Sequence, residues 1–211
     1  MAPVIADPKK IKTFKNSAAF NAWLESNHAR SDELWIRIYK KASGIATIDH
    51  LQAIDVALCW GWIDGIRKGL DDISFLQRYT PRRVRSLWSQ VNCDNVARLT
   101  AAGRMMPAGQ RQIDAAKADG RWARAYPRMR SATPEMVPAD LRAAIDANPR
   151  ARKTFATLRR ANLFALAFRT NNMKTPDGRA RKIAELVDML ARGAAVIPEP
   201  VQPTKPRTSR G

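Results

Sequence analysis

The sequence contains few of the side chains that build metal centres and disulfide frameworks. Its 211 residues include two cysteines, Cys59 and Cys93, and two histidines, His28 and His50. Neither histidine stands beside a cysteine pair at the spacing of a zinc site, so we expect no bound metal. Two cysteines do not make a disulfide framework, and we interpret them as buried thiols in a reducing compartment.

Long apolar runs and targeting segments are lacking as well. No stretch approaches the roughly 18 consecutive apolar residues that cross a bilayer. Residues 1–14 are basic and contain proline, and no apolar segment follows them as it would in a secretory signal. We therefore expect a cytoplasmic protein without membrane insertion.

The motifs of common enzyme classes are missing too. The sequence has no glycine-rich phosphate loop, no HExxH zinc motif and no nucleophile elbow. Ser86 and Ser89 have no histidine partner that would activate them, and Asp64 with Asp71 or Asp72 is a weak carboxylate pair. We expect no cofactor, and the sequence favours a non-enzymatic protein while leaving catalysis open.

Acidic residues are scarce relative to basic ones. Lysine and arginine number 37 against 19 aspartate and glutamate, which gives a net charge of +18. This excess predicts affinity for polyanions such as nucleic acid, acidic lipid headgroups or anionic metabolites. Because the basic residues are spread over the whole chain, including both tails, the charge does not choose among these partners.

The hydrophobic pattern of the first half predicts alternating helices and strands. Phe20, Trp23 and Leu24 share one face of a helix that begins near Ser17. Residues 33–41 alternate as a strand does. Asp49 and Gln52 form a capping box for a second helix that ends at Gly61. We expect a turn at Asp64-Gly65, a second strand over residues 73–79, and renewed helix near Ser86.

The second half reads as helical throughout. We expect a helix from Pro107 to Gly120, a short helix over residues 139–147, a longer one over 151–168, and a last one capped by Thr175 and closed by Gly193. The predicted fold class is α+β, with a small β-sheet packed with helices and a mostly helical C-terminal half. The expected domains are a flexible basic leader (1–13), an α+β core that carries the Trp/Arg motif (14–130), a helical extension packed on the core (131–195), and a disordered basic tail (196–211).

Three tryptophan- and arginine-rich segments stand out between residues 57 and 92. They read ALCWGWIDG at 57–65, QRYTPRR at 77–83 and SLWSQVN at 86–92. These segments resemble the signature of the YdeI/OmpD-associated family, also called bacteriocin-protection proteins. Further segments that fit the family are LWIRIYKK at 34–41, GRMMPAG at 103–109 and DGRW at 119–122.

The resemblance extends from about Phe20 to Gly193 and is weaker in the last helix. Met173 and Gly178 stand where the family has alanine and threonine. The family name implies protection against bacteriocins or envelope stress, and it implies no established catalytic reaction. The residues of the last helix that match the family are Lys174, Arg179, Arg181, Lys182 and Ile183.

The central motif contains a candidate site for an anion or a small molecule. Guanidinium groups beside a helix start, with its free backbone N–H groups, suit negative charge. Indole rings are able to wall such a pocket or stack on a planar ligand. Aspartate is able to orient an arginine or accept from a ligand hydroxyl. The candidate ligand-binding residues are Trp60, Trp62, Asp64, Arg78, Arg82, Arg83, Ser86, Trp88, Ser89 and Asn92.

A purely structural interpretation competes with this site. Tryptophans are core residues more often than ligand contacts, and an aspartate before glycine often forms a turn. The arginines have Asp71, Asp72 and Asp94 as possible surface partners, in ion pairs that contribute little. Cys59, without a neighbouring base, is expected to be a small buried hydrophobe.

Four functions are therefore compared. The first is a stress or bacteriocin-protection protein with an anion or small-molecule pocket. The second is nonspecific nucleic-acid binding, motivated by the charge and by Trp35, Arg37 and Tyr39 alternating on one strand face. The third is an enzyme acting on an anionic substrate, and the fourth is a peripheral partner of the cell envelope. The sequence does not specify the oligomeric state.

Overall fold

The computed structural model describes residues 4–198, and the chain divides into two compact units between Tyr126 and Pro127. The division lies a few residues before residue 130, where the sequence predicts the end of the core. Residues 1–3 of the predicted leader and 199–211 of the predicted tail lie outside the described residues. Within the leader, Pro8–Lys10 form a 3-10 turn, followed by a short strand.

The first unit contains a sheet of four strands. Their order in the sheet is β1-β2-β4-β3, with β1 parallel to β2 and the remaining neighbours antiparallel. The predicted strand over residues 33–41 is β2. The pairing places Asp64 of β3 directly opposite Tyr79 of β4, which matters for the site described below. The strands are Ile11–Lys12 (β1), Leu34–Tyr39 (β2), Trp62–Gly69 (β3) and Ser74–Pro81 (β4).

The two faces of β2 both carry buried side chains. Leu34, Ile36 and Ile38 face the main core of the unit because successive residues of a strand point to opposite sides. On the other face Trp35 is 0% exposed, and its Nε1 donates to Glu33 Oε1 at 2.8 Å. A fully buried indole does not stack on a base, so Trp35 does not provide the aromatic contact that the nucleic-acid hypothesis expected of it.

Among its described residues the first unit also has four α-helices, and side-chain oxygens cap the start of three of them. Asn16 caps α1 by accepting from the backbone N–H of Ala19 at 3.0 Å. The capping box of Asp49 and Gln52 at the start of α2 is confirmed, with both reciprocal hydrogen bonds present. The helices are Ser17–Asn27 (α1), His50–Cys59 (α2), Gln90–Ala101 (α3) and Pro107–Ala118 (α4).

Two local predictions for the first unit are wrong. Asp64 and Gly65 do not form a turn: both lie in β3, which forms a hairpin with β4 and has an irregularity between Asp64 and Arg67. Gly65, which suggested a turn, lies instead in this irregular part of the strand, where glycine is common. The helix expected near Ser86 begins only at Gln90, because Ser89 is its N-cap.

The second unit is helical. Its core includes Leu141, Ile145, Leu166 and Leu190. The single helix predicted over residues 151–168 is wrong: two helices stand there, separated by a break at residues 156–159. The α+β class with a helical C-terminal half is confirmed. The helices of this unit are Ala139–Asp146 (α5), Pro149–Phe155 (α6), Arg160–Asn171 (α7) and Pro176–Ala191 (α8).

Candidate functional site

Trp60 and Trp62, at the junction of α2 and β3, are core residues. Trp60 Nε1 donates to Asn21 Oδ1 at 2.9 Å, and Trp62 Nε1 donates to the carbonyl of His28 at 3.3 Å. Trp62 also packs edge-on against Trp23, with ring centroids 5.9 Å apart. Both indole N–H groups are thus already bonded within the protein, and these two rings do not wall a pocket.

Arg78 is held in an ion pair away from the rest of the motif. Its Nε donates to Glu33 Oε2 at 2.7 Å, and its Nη2 contacts the same oxygen. Glu33 also accepts from the indole of Trp35. Arg78 and Tyr79 are successive residues of β4 and point to opposite faces of the sheet. Arg78 therefore stabilises a strand face and does not join the Asp64 side.

The segment between β4 and α3 is a loop organised by backbone contacts. The N–H of Arg83 donates to Ser86 Oγ at 3.0 Å, and Arg121 Nη1 donates to the carbonyl of Ser86 at 3.0 Å. The side chain of Arg83 is exposed. Ser86 thus shapes the loop, and Arg83 extends away from the buried part of the motif.

Ser89 and Asn92 define the start of α3. Ser89 Oγ accepts from the backbone N–H of Asn92 at 3.1 Å. Ser89 therefore caps the helix, and its hydroxyl oxygen and this N–H are bonded to each other instead of to a ligand. A side-chain hydrogen bond also joins Ser89 to Tyr126, and the N–H of Tyr126 donates to the carbonyl of Trp88 at 3.0 Å. Tyr126 therefore anchors the end of the first unit beside the loop.

Arg82 and Trp88 form the buried part of the motif. Arg82 is 5% exposed, and its guanidinium carbon lies 3.6 Å from the centroid of the Trp88 ring. Arg82 Nη1 donates to the carbonyl of Leu87 at 3.2 Å, whereas Nε and Nη2 are buried without a partner among the described residues. Burial lowers the pKa of Arg82 to about 10. The guanidinium thus stays charged at neutral pH, with two donors unused.

Trp88 also has a buried N–H group without a hydrogen-bond partner among the described residues. Its Nε1 is buried without an acceptor in the described part of the chain, and its ring packs against Trp122 with centroids 4.8 Å apart. An unpaired buried donor costs free energy. Arg82 and Trp88, which are in contact, thus have three buried N–H donors without partners among the described residues.

Asp64 is the carboxylate whose charge acts on the guanidinium of Arg82. It is half-buried, and it makes no hydrogen bond or ion pair within residues 4–198. The Tyr79 hydroxyl opposite it is buried without a partner, and burial, followed by the charge of Asp64, raises the pKa of Tyr79. Burial lowers the pKa of Arg82, and the charges of Tyr126 and then Asp64 oppose that lowering. Burial raises the pKa of Tyr126, and the charge of Asp64 adds to that effect. Asp64 thus lies within electrostatic range of several buried polar groups.

The structure brings together only part of the predicted constellation. Arg82 lies on Trp88, and the charge of Asp64 acts on Arg82 and on two tyrosines. These tyrosines, Tyr79 and Tyr126, were not predicted because single tyrosines carry no local signal. Trp122 had a signal in the DGRW segment, although its place beside Trp88 depends on tertiary packing. The predicted residues that serve other structural roles are Trp60, Trp62, Arg78, Arg83, Ser86, Ser89 and Asn92.

The second unit contains two shallow surface grooves, and neither includes residues of the motif. One has a volume of about 520 Å³ and lies between α5 and α8, lined by residues such as Ala144, Ile183 and Val187. The other has a volume of about 630 Å³ and is lined by Thr133, Leu158 and the start of α7.

The described residues give no sign of a metal centre or a membrane-spanning segment. Within residues 4–198, no three His, Cys, Asp or Glu side chains gather closely enough to hold a metal ion. Over the same range, no helix combines the length and the apolar character needed to cross a bilayer.

Two family models match separate parts of the chain, one in each unit. Residues 136–193 match the family described as "Bacteriocin-protection, YdeI or OmpD-Associated", which confirms the suspected family assignment for that part of the chain. Residues 12–112, with most of the Trp/Arg motif, match a "Domain of unknown function (DUF8412)". No curated protein and no solved structure is significantly similar to the chain.

Proposed function

We propose that this chain, whose residues 136–193 form a YdeI/OmpD-associated domain, acts in stress or bacteriocin protection and binds a small anion beside Arg82 in its first unit. The observation that carries the binding proposal is the buried guanidinium of Arg82, which has two nitrogens without partners and lies on the Trp88 ring. The role in protection follows the description of the matching family.

A buried, unneutralised arginine needs an explanation because taking a charge out of water is costly unless an opposite charge or full hydrogen bonding compensates. Among the described residues, Arg82 contacts the Leu87 carbonyl and the face of Trp88. Trp88 covers one face of the Arg82 guanidinium. Because the N–H bonds of Nε and Nη2 lie in the guanidinium plane, these two nitrogens donate along its edge. A carboxylate or phosphate group accepts from this edge in bidentate fashion.

Asp64 restricts the kind of anion that this site prefers. Its carboxylate makes no hydrogen bond or ion pair within the described residues and lies within electrostatic range of Arg82. A ligand of high negative charge is repelled by this carboxylate, whereas a hydroxyl or amino group donates to it. We therefore expect a singly charged acid that also carries a donor, such as a hydroxy or amino acid, to bind better than a bare anion.

The proposal is tested by binding to the purified full-length chain. Thermal unfolding and titration calorimetry are carried out with inorganic phosphate, acetate, hydroxy acids, amino acids and sugar phosphates. Arg82→Met is expected to weaken the binding of any ligand found by at least about tenfold, since a charge-assisted bidentate contact is lost. The matched control is Arg85→Gln, which removes an exposed arginine of the same loop and leaves affinity unchanged.

Two outcomes reject the site. If none of these anions raises the melting temperature, or if Arg82→Met binds as tightly as the unaltered chain, Arg82 is a structural residue. Protection is tested separately in a deletion strain of the source organism, measured by sensitivity to bacteriocins and cationic peptides. Unchanged sensitivity of that strain argues against the protective role. Loss of complementation by Arg82→Met, with complementation retained by Arg85→Gln, connects the two parts of the proposal.

A further inference from the structure

The second unit contains a long stretch without acidic residues. Residues 147–176 include seven lysines and arginines and no aspartate or glutamate. All seven basic side chains are exposed. An uninterrupted run of one charge sign, held at the surface of a folded unit, produces a positive potential that acts on ligands in solution. The seven residues are Arg150, Arg152, Lys153, Arg159, Arg160, Arg169 and Lys174.

Helix α6 gives this stretch a defined geometry. Ala151 and Phe155 are buried in the core of the unit, and Arg150, Arg152 and Lys153 are consequently directed to solvent. Arg160 begins α7 five residues after the end of α6, and a chain of that length keeps it within about 18 Å of that end. We name Arg150, Arg152, Lys153 and Arg160 the α6 basic surface.

Four other basic residues of the unit, unlike those of the α6 basic surface, have carboxylate partners. Arg179 contacts Asp140 at 2.6 Å and Arg142 contacts Asp146 at 3.0 Å, while Lys182 and Arg192 pair with carboxylates on their own helix. The four residues of the α6 basic surface form no ion pair within residues 4–198. Their charge is therefore available to an external anion.

We propose that the α6 basic surface binds the phosphate backbone of double-stranded nucleic acid without reading its sequence. Three of its four residues are arginines, whose planar groups donate two parallel hydrogen bonds to a phosphate. A sequence-independent contact of this kind requires only exposed cations at the spacing of a surface helix.

The surroundings of this surface favour a duplex over a membrane or a single strand. The exposed large hydrophobic residues of the described second unit are Met129 and Ile197, both outside residues 147–176, so no apolar side chain accompanies the cations into a lipid layer. The aromatic residues of the stretch, Phe155, Phe164 and Phe168, are buried or half-buried. Single-strand binding needs exposed aromatic rings that stack on unpaired bases, and this stretch has none.

The test measures the affinity of the full-length chain for two DNA duplexes of about 30 base pairs and unrelated sequence, by fluorescence anisotropy at about 50–200 mM salt. The test variant replaces Arg150, Arg152 and Lys153 with glutamine. The control variant replaces Arg142, Lys182 and Arg192 with glutamine, which removes the same formal charge from residues that already have carboxylate partners. Circular dichroism and thermal unfolding establish that both variants fold.

We expect the test variant to bind both duplexes about 10- to 100-fold more weakly and to reduce the slope of log affinity against log salt by about three, as expected for three lost phosphate contacts. The control variant should lose less than about threefold. Lysine at positions 150 and 152 keeps the charge without the bidentate hydrogen bonds, so we expect the salt slope to be retained and the affinity to fall less than with glutamine.

Several outcomes overturn the proposal. Absence of salt-dependent duplex binding rejects it outright, and equal losses in the two variants show that net charge alone causes the affinity. A large preference for one duplex contradicts recognition through the backbone. Binding to vesicles of phosphatidylglycerol that depends on the same three residues, without duplex binding, assigns the surface to acidic lipid instead. None of these results bears on the Arg82 site, which lies in the first unit.

Discussion

Gly109 of α4 lies directly against the carbonyl group of Cys59 at the end of α2. A Cβ atom added to Gly109 would stand 2.2 Å from that carbonyl oxygen, which is far inside van der Waals contact. The same carbonyl accepts from the backbone N–H of Met106 at 3.1 Å. The close approach of α4 to the end of α2 explains why a glycine ends the GRMMPAG segment.

Gly109→Ala should lower the free energy of unfolding by about 1–3 kcal/mol, as overpacking does where backbone blocks the new atom. Gly69→Ala is the matched control, because a Cβ at Gly69 meets no atom within 4 Å; we expect it to change stability by less than about 0.5 kcal/mol. Urea unfolding followed by tryptophan fluorescence measures both. Equal stability of the two variants would mean that α4 moves away at little cost.

Arg82 and Arg78 should respond in opposite directions to the same replacement. Arg82→Met removes a buried charge that lacks full compensation, and we expect the ligand-free protein to gain about 1 kcal/mol of unfolding free energy. Arg78→Met leaves Glu33 without its cation, and we expect a loss of about 1–3 kcal/mol. Chemical unfolding without added anions measures both values. A large loss for Arg82→Met would show that its contact with Trp88 stabilises the fold, against a ligand-binding role.

Much of the fold is predictable from local chemistry. Asp49 and Thr175 each cap a helix as expected, because a side-chain oxygen next to an amphipathic run has a strong local preference. The alternation of Leu34, Ile36 and Ile38 likewise identifies β2. The hairpin strand β3 was missed because its exposed residues lack alternation, and because its Gly65 suggested a turn where the structure has a bulge.

The candidate site is predictable only in part, because burial depends on tertiary packing. The sequence has three arginines between β4 and α3, and nothing local distinguishes Arg82 from Arg83 or Arg85. The backbone N–H of Arg82 donates to the carbonyl of Gly61 at 2.9 Å, which continues the hairpin and turns this side chain inward onto Trp88. The selection of one arginine is thus made by the β3–β4 pairing, which the sequence pattern did not show.

The capping box at the start of α2 is expected to contribute measurably to stability. Asp49→Ala removes the acceptor of the Gln52 N–H, which lies 2.8 Å away, and should lower the free energy of unfolding by about 1 kcal/mol. Combining it with Gln52→Ala should cost less than the sum of the single changes, because the two side chains bond reciprocally. Leu51→Ala, on the exposed side of the same helix, is the control. Strict additivity in urea unfolding would count against a working capping box.

His50 should make the stability of the first unit depend on pH. Its Nδ1 is buried without a partner among the described residues. Burial, and then the charge of Arg67, lower the pKa of His50 below its ordinary value of 6.5, against an opposing effect of Asp64 and Asp49. The folded protein therefore binds fewer protons at His50 than the unfolded chain does as the pH falls below 6.5.

Above pH 6.5, the ordinary pKa of histidine, His50 is neutral in both states and its contribution to stability is complete. As the pH falls below this value, the unfolded chain binds a proton first, and the contribution is lost until the pH reaches the lower pKa of the folded state. His50→Gln removes the titrating group while keeping a polar residue at the helix start. We expect the drop in unfolding free energy between about pH 7.5 and about pH 5.5 to be smaller in this variant than in the unaltered chain. Urea unfolding at both pH values measures the drop, and identical drops in the two proteins would show that His50 titrates alike in the folded and unfolded states.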